Sequence, residues 1–259
     1  MVSLEESIVT AMDGRDTGIF PYLPYILQDF WEIGSSPEEM IRLIEKHSVN
    51  YSGLEVLDLG CGKGAVSVRI AEKLKCRCFG FDGLVEFIEE ARQKAVEYKV
   101  GSLCSFEVAD IREKIKELTE FDIIILGAIG QVFGNYYETL VKLKKCLKKD
   151  GFIIIDDAYI EDSSTFSHPA ILKKGELSDQ ISRAGMVLID QLTVTGPGEK
   201  EAEHEQEFNY IELRCKELIN KYPEKKTLFE NYIKQQNEEY DVLETKSVCT
   251  TMVIKPFTT

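Results

Sequence analysis

The sequence predicts an α/β fold built on a doubly wound, mostly parallel sheet, and three observations predict it. Between residues 55 and 156, short apolar runs alternate with segments that have the period of amphipathic helices. The runs are apolar throughout, which is typical of strands covered on both faces. A helical segment follows each run, and repeated strand–helix units of this kind build an open parallel sheet with right-handed crossovers.

Five strands are predicted in this region, at residues 56–59, 78–81, 104–108, 121–126 and 152–155. The helices between them follow from apolar spacing. Val66, Ile70 and Leu74 recur every four residues, for example, and Gly151 follows the last helical segment as a stop signal. Before the first strand, residues 1–50 are helical in character, and Ser36 followed by Pro37 is a strong helix start.

The pattern loosens after the fifth strand. Residues 157–175 are predicted as a long loop, 176–184 as a helix that ends at Gly185, and 186–194 as a strand. A break follows at Gly196-Pro197-Gly198. Residues 199–244 contain thirteen acidic against seven basic side chains and fit two amphipathic helices that separate near Pro223, before a last strand at 245–254. We therefore expect an N-terminal helical lid segment at 1–50 and a main domain at 51–259 with a helical insertion at about 198–244.

Charge and cysteine content exclude several classes of protein. Forty-five acidic against thirty-one basic residues give a formal charge of -14, which disfavours nucleic acids and anionic lipid surfaces as partners. Seven cysteines without a C-x-x-C pair suggest neither a disulfide framework nor a metal site. No apolar stretch approaches membrane-spanning length, and the first residues do not resemble a secretory signal. We expect a cytoplasmic protein, a monomer or homodimer, that acts on a small molecule.

A glycine-rich loop follows the first strand, with the sequence Gly60-Cys61-Gly62-Lys63-Gly64. Glycines at alternate positions let the chain turn tightly and bring a ligand against main-chain amides at a helix N-terminus. Asp82 ends the second strand, where a carboxylate can accept both hydroxyl groups of a ribose. The spacing Gly60-x-Gly62-x-x-Ala65 also satisfies the dinucleotide fingerprint, so the loop predicts a nucleoside cofactor without identifying it.

Two other carboxylates favour an adenosine without a diphosphate. Asp58 lies two residues before the first glycine, where it would repel a pyrophosphate and suit an ammonium or sulfonium group. Asp110, after the third strand, can accept the adenine amine while the main-chain N–H of Ile111 meets a ring nitrogen. Asp110 can equally be the N-cap of the helix that begins at Ile111.

With these motifs in this order, the sequence resembles the class I S-adenosylmethionine-dependent methyltransferases from residue 55 to about 160. Residues 56–64 are similar to the family's first motif, and Gly127-Ala128-Ile129-Gly130 to its loop beside the methyl group. The resemblance implies a Rossmann-like seven-stranded sheet whose last strand is antiparallel between the fifth and sixth, and S-adenosyl-L-methionine as cofactor. The implied cofactor-binding residues are Asp58, Gly60, Cys61, Gly62, Gly64, Asp82, Gly83, Asp110, Ile111, Gly127 and Ala128.

The implied reaction is in-line attack by a substrate nucleophile on the methyl group. This reaction needs orientation, desolvation and removal of a proton more than a dedicated catalytic group. Candidate proton acceptors at the end of the fifth strand and in the loop after it are Asp156, Asp157, Tyr159 and His168. A solvated strand end and a surface histidine explain the same residues without catalysis. His204 lies in the acidic run and is expected to be a bystander.

The N-terminal segment adds two further expectations. Tyr22, Tyr25, Phe30 and Trp31 form an aromatic group that is expected to pack against the sheet, in a segment that in the resembled family often closes over the cofactor. Gly34-Ser35-Ser36 at the next helix start can hold the cofactor's carboxylate. Two other functions remain open, an NAD(P)-dependent oxidoreductase and a protein that binds S-adenosylmethionine without methyl transfer.

Overall fold

The computed structural model describes residues 2–193 and 201–257, without the side chains of residues 201–203. The break predicted at Gly196-Pro197-Gly198 lies outside the described residues. No helix in the described part of the chain combines the length and the apolar character needed to cross a membrane.

Seven strands form one mixed sheet in the order β3-β2-β1-β4-β5-β7-β6. β7 runs antiparallel between β5 and β6, and the other strand pairs are parallel, as the resemblance implied. The strands are β1 Glu55–Leu59, β2 Arg77–Asp82, β3 Cys104–Val108, β4 Phe121–Gly127, β5 Leu147–Tyr159, β6 Met186–Thr193 and β7 Val248–Pro256.

β5 is much longer than the four residues predicted for it. The polar residues Asp156 and Asp157 suggest a strand end, but β5 continues to Tyr159 because its last residues pair with the antiparallel β7. The last strand begins at Val248 rather than near residue 245 because the preceding helix continues through Thr245.

Helices cover both faces of the sheet. They are α1 Leu4–Ala11, α2 Leu23–Ile26, α3 Pro37–His47, α4 Ala65–Leu74, α5 Val85–Glu97, α6 Ile111–Lys114, α7 Tyr136–Leu143, α8 Lys174–Arg183, α9 Glu201–Lys221 and α10 Lys226–Thr245. One hydrophobic core joins α6, α7 and α8 to one face of the sheet, and a second core joins α3, α4 and α5 to the other. The N-terminal helix α3 therefore flanks the sheet.

The remaining helices, α1, α2, α9 and α10, form what we call the helical cap. They share one hydrophobic cluster, which includes Val9, Leu23, Ile211 and Phe229 and also reaches Phe87 of α5. Polar contacts reinforce it, since the Tyr232 hydroxyl and the Gln236 amide both donate to the carbonyl oxygen of Met12, at 3.0 and 2.9 Å. The N-terminal segment and the acidic insertion thus build a single structure.

The N-terminal aromatic residues do not pack mainly on the sheet. The ring of Tyr22 lies 5.0 Å from that of Phe229, and the ring of Phe30 lies 5.8 Å from that of Tyr210, so both contact the cap helices. Trp31 instead lies 4.9 Å from the ring of Tyr98, beside α5. The insertion supplies an apolar partner that the local sequence around Tyr22 does not reveal.

Candidate active site

A cavity of about 1660 Å³ lies between the helical cap and the carboxyl ends of β1, β4 and β5. The glycine loop lines one part of it, together with the segment that leads into α3 and the loop after β4. The end of β5 and residues of α1, α9 and α10 line another. The cavity thus lies at the ligand-binding edge of the doubly wound sheet, where the cap covers it in part.

The glycine loop makes a tight turn that depends on left-handed backbone conformations. Gly62 and Gly64 have φ values of +51° and +75°. A Cβ at Gly64 would lie 2.8 Å from the Cβ of Ala91, whereas one at Gly62 would meet no atom within 4 Å. Gly64 is therefore needed for packing of the loop on α5, and Gly62 leaves open space beside the cavity.

Two buried carboxylates lie under the loop. Asp82 accepts hydrogen bonds from the main-chain N–H groups of Gly62 and Leu84, both at 2.9 Å, and burial raises its pKa. Asp58 accepts a hydrogen bond from the Ser67 hydroxyl at 2.6 Å, and burial raises its pKa to about 6. Each carboxylate thus fixes part of the turn around the loop.

These two carboxylates differ in their access to the cavity. Asp58 is among the cavity-lining residues, and Asp82 and Gly83 are not. α1 covers this strand end so closely that a Cβ at Gly83 would lie 2.6 Å from Cδ1 of Ile8. The carboxylate of Asp82 retains acceptor capacity beside its two amide donors, because its two oxygens offer about four lone-pair positions.

Asp110 lines the cavity and is also the N-cap of α6. Its carboxylate accepts hydrogen bonds from the main-chain N–H of Arg112 at 2.9 Å and from the guanidinium of Arg112 at 2.7 Å. The guanidinium lowers the pKa of Asp110. Ile111 is buried in the core and does not line the cavity.

The segment before α3 places a buried hydroxyl at the end of β4. Ser35 lines the cavity and is 7 % exposed, and its Oγ has no hydrogen-bond partner among the described residues. A Cβ at Gly127 would lie 2.7 Å from this oxygen. Because buried hydroxyl groups in proteins are generally paired, Ser35 is fitted to a partner that enters the cavity.

Asp156 and Asp157 both line the cavity at the end of β5. The Thr251 hydroxyl donates to Asp156 at 3.1 Å, and the Tyr136 hydroxyl donates to Asp157 at 2.7 Å. Burial raises the pKa of Asp157, although the hydrogen bond from Tyr136 opposes the shift. Asp157 is therefore a stronger base than an exposed carboxylate.

The structure does not bring Tyr159 and His168 into the cavity lining. Tyr159 is 4 % exposed and packs in the core beneath α8. His168 accepts a hydrogen bond from the main-chain N–H of Ala170 at 3.3 Å and stacks on Phe166, while the following residues, Pro169 to Ile171, line the cavity. Of the four candidate proton acceptors, only Asp156 and Asp157 thus face the cavity.

Several cavity residues were missed from the sequence. Asp13, at the end of α1, and Glu207, Glu239 and Tyr240, in the acidic insertion, carry no motif. His204 lines the cavity as well, with its Nδ1 3.0 Å from a carboxylate oxygen of Glu244, so the expectation that it lies in a solvated run was wrong. Acidic composition alone cannot distinguish the outer face of a helix from a face that lines a cavity.

Comparison with known proteins agrees with this geometry. A family model described as a methyltransferase domain matches residues 50–247. The chain is 31 % identical over 134 residues to a malonyl-[acyl-carrier protein] O-methyltransferase of Priestia megaterium, which covers 49 % of this chain and 47 % of that protein. It is 30 % identical over 140 residues to an (S)-coclaurine N-methyltransferase of Thalictrum flavum subsp. glaucum, and this alignment covers 51 % of this chain and 36 % of that protein. The chain thus spans about half or less of the length of these curated relatives.

A solved structure is similar over nearly the whole chain. It is a SAM-dependent methyltransferase from Geobacter sulfurreducens in complex with S-adenosyl-L-homocysteine, with a TM-score of 0.75 and 17 % sequence identity. The alignment covers 92 % of this chain and 98 % of that one. At this identity the likeness shows the shared fold.

Proposed function

Because the chain belongs to the class I S-adenosylmethionine-dependent methyltransferase family, we propose that it transfers a methyl group from S-adenosyl-L-methionine to a small molecule held in this cavity. The observation that carries this proposal is the single cavity in which the glycine loop, the end of β4 and the end of β5 meet beneath the cap. A small acceptor fits this arrangement because the cap covers the sheet edge. The family match favours this function over the nicotinamide-dependent alternative.

The side chains present fit the proposed cofactor. Gly62 leaves room against the loop amides, and the unpartnered Ser35 hydroxyl beside Gly127 offers a donor to the amino-acid tail. Asp110 lines the cavity and can offer a carboxylate oxygen to an adenine amine, and Asp82, beside the glycine loop but outside the cavity lining, retains acceptor capacity for ribose hydroxyls. Asp58 supplies negative charge, and its described hydrogen bond comes from the neutral Ser67 hydroxyl, which suits a cationic ligand and opposes a diphosphate.

S-adenosylmethionine, when bound, supplies a methyl group already activated by a sulfonium leaving group. The protein's part is then to exclude water, orient the acceptor and hold a proton. The helical cap excludes water from the sheet edge. Asp157 is our proposed proton acceptor, because its raised pKa favours proton uptake and the Tyr136 hydroxyl fixes the carboxylate. Asp156 lies next to it, and its bond from Thr251 fits a role in orienting the acceptor.

Calorimetric titration with S-adenosylhomocysteine and with NAD⁺ tests the cofactor assignment. We expect S-adenosylhomocysteine to bind and NAD⁺ to give no heat. A ligand at 100 times its dissociation constant stabilises the folded state by about 2.7 kcal/mol, which a thermal-shift assay detects independently. Ser35→Ala should weaken binding, whereas Ser105→Ala, on the exposed edge strand, serves as the matched control. Binding of NAD⁺ with none of S-adenosylhomocysteine overturns the assignment.

Methyl transfer is tested separately from binding. We expect radiolabelled methyl groups from S-adenosylmethionine to appear in the low-molecular-weight fraction of a cell extract. Cofactor binding with no labelled product would instead favour the non-catalytic alternative, and label in protein or RNA would contradict a small acceptor.

A further inference from the structure

The part of the cavity beneath the cap is strongly acidic. Twelve carboxylate side chains line the whole cavity, and the only Lys and Arg among its described lining residues are Lys63 and Arg112. Both cations are already paired, Lys63 with Glu90 at 3.0 Å and Arg112 with Asp110 at 2.7 Å. Cations outside the lining pair with three of the carboxylates, since Arg214 lies 2.6 Å from Asp29, Arg69 3.5 Å from Glu38 and Lys116 2.6 Å from Glu113. The salt bridges of the described residues include none at Asp13, Asp157 or Glu239.

Three of these carboxylates converge from separate elements. Asp13 follows α1, Asp157 lies two residues before the end of β5, and Glu239 lies on α10. The charge of Glu239 adds to burial in raising the pKa of Asp13 to about 7, and it also contributes to the raised pKa of Asp157. The geometry agrees for Asp13, because Glu239 lies one helical turn after Gln236, whose amide donates to the carbonyl of Met12 at 2.9 Å. Among the hydrogen bonds of the described residues, none has the carboxylate of Asp13 or of Glu239 as its acceptor.

The other groups around this cluster add aromatic rings and hydroxyls. Burial raises the pKa of the phenols of Tyr232 and Tyr240 on α10, and the charge of Asp13 adds to the shift of both. Tyr240 donates to Glu207 of α9 at 2.9 Å, and the ring of His204 lies 5.1 Å from the Tyr240 ring. Carboxylates beside tyrosine faces are the surroundings that organic cations prefer.

A second observation concerns Thr250, which lies next to this cluster but does not itself line the cavity. The Thr250 hydroxyl is 2 % exposed and has no hydrogen-bond partner among the described residues. Thr250 pairs in register with Asp157 across β5 and β7, so the two side chains lie on one face of the sheet. A donor and acceptor atom is thus left unused beside a cavity-lining carboxylate.

We propose that the methyl acceptor is an amine, and that its ammonium group binds between Asp13, Asp157 and Glu239. This inference rests on the proposed function, and it names the substrate class of the same cavity. A bound ammonium relieves the repulsion between the three carboxylates, and an aromatic or aliphatic remainder packs against the tyrosines of the cap. A phosphorylated or carboxylate acceptor is repelled by the same charges.

The chemistry of such an acceptor balances with the groups present. The ammonium first gives one proton to Asp157, which leaves a lone pair on nitrogen. That lone pair forms the new N–C bond as the C–S bond breaks. The electron pair of the C–S bond stays on sulfur, which becomes a neutral thioether. The methylated nitrogen carries the positive charge that the sulfonium has lost, and Asp157 passes its proton to water when the product leaves.

Titration calorimetry with matched probes tests the substrate class apart from the cofactor. The probes are benzylamine, 2-phenylethylamine and tryptamine against benzyl alcohol, 2-phenylethanol and tryptophol, at a pH above 7. Each is titrated into the full chain with and without S-adenosylhomocysteine. At least one amine is expected to bind roughly tenfold more tightly than its alcohol, which corresponds to about 1.4 kcal/mol.

Two variants locate the preference. In Asp13→Asn with Glu239→Gln the preference for the amine should fall at least about threefold, since two of the three charges are removed while Asp157 stays. Asp13→Asn alone serves if the double variant does not fold, because Asn tolerates the left-handed φ of +58° at this position. Glu230→Gln, on the exposed face of α10, is the matched control and should keep the full preference.

The outcomes separate the two proposals. Equal binding of amines and alcohols, a preference that is undiminished in the double variant, or no amine binding below about 10 mM overturns the amine assignment even when S-adenosylhomocysteine binds. Failure of S-adenosylhomocysteine to bind counts against the proposed function instead, and the amine preference is still measured on the chain without it.

Discussion

The ammonium of Lys63 donates a hydrogen bond to the main-chain carbonyl of Phe30 at 2.6 Å. It also donates to the carbonyl of Leu27 at 2.9 Å, and its side chain is only 1 % exposed. In return, the Trp31 indole N–H donates to the carbonyl of Lys63 at 3.0 Å. These contacts join the middle of the glycine loop to the segment that enters the helical cap, so the cofactor loop and the cap are mechanically coupled.

Lys63→Met should therefore loosen the cap as well as the loop. The substitution keeps an unbranched side chain but leaves two carbonyl oxygens and Glu90 without their donor, and each unmet buried group costs about 1–3 kcal/mol. We expect the free energy of unfolding in urea to fall by about 3 kcal/mol and the affinity for S-adenosylhomocysteine to fall with it. Lys73→Met, on the exposed face of α4, is the control. Equal stability of the two variants would show that this coupling is absent.

The strands around Lys63 were predictable, and its partners were not. β1 to β4 are short and covered on both faces, so their apolar runs identify them without knowledge of the fold. Lys63 reads as a solvated residue in a loop because its acceptors, Leu27 and Phe30, lie more than thirty residues earlier in the chain. Contacts of this kind depend on the tertiary structure and leave no periodic signal.

The residues of the site also fall into those that the sequence predicts and those that only the tertiary structure brings to the cavity. Asp58, Gly62 and Asp110 lie at strand ends and line the cavity as motif spacing predicts. Asp13 and Glu239 become cavity residues only because α1 and α10 pack together in the cap. Strand-end position could not exclude Tyr159. It shares a face of β5 with Asp157, but the antiparallel pairing with β7 continues through it and its side chain is buried in the core.

Substitutions at the glycines should separate binding from stability. Gly62→Ala forces a Cβ into a left-handed conformation, at a cost of about 1–2 kcal/mol, and places the methyl group in the space reserved for the ligand. Gly185→Ala is the control, because it has a similar conformational cost at a φ of +69° but lies away from the cavity. We expect similar unfolding free energies in urea for the two variants, but a loss of S-adenosylhomocysteine binding in calorimetry for Gly62→Ala alone. Equal affinities would contradict the close approach of a ligand to the loop.

A substitution at Asp82 tests whether this carboxylate contacts the ribose of the cofactor. Asp82→Asn replaces one acceptor oxygen with an NH₂ group that faces the main-chain N–H of Gly62 or of Leu84. Loss of a hydrogen bond to a charged group costs about 1.5–3 kcal/mol, so we expect S-adenosylhomocysteine to bind at least about tenfold more weakly. Glu89→Gln, exposed on α5, is the control for a lost charge. If calorimetry finds the affinity unchanged while the stability falls, Asp82 supports the loop without touching the ligand.

The buried carboxylates should make stability depend on pH in an unusual direction. Burial raises the pKa of Asp13 from 3.8 to about 7, so between these values the folded chain holds a proton that the unfolded chain releases. The stability that Asp13 contributes is fully present below pH 3.8 and is lost as the pH rises to 7. One such proton changes the free energy of unfolding by at most about 1.4 kcal/mol per pH unit.

Asp13→Asn removes this titration and keeps a residue that tolerates the left-handed backbone. The difference in unfolding free energy between the unsubstituted protein and the variant, measured in urea from pH 5 to pH 8, should therefore fall as the pH rises and level off above 7. Asp58 and Asp157 have raised pKa values too, so part of the slope persists in the variant. Asp150→Asn, at an exposed position of β5, should give a difference with no such trend. A flat difference for Asp13→Asn would mean that water reaches this carboxylate freely, and the repulsion between Asp13 and Glu239 would then be too weak to select a cation.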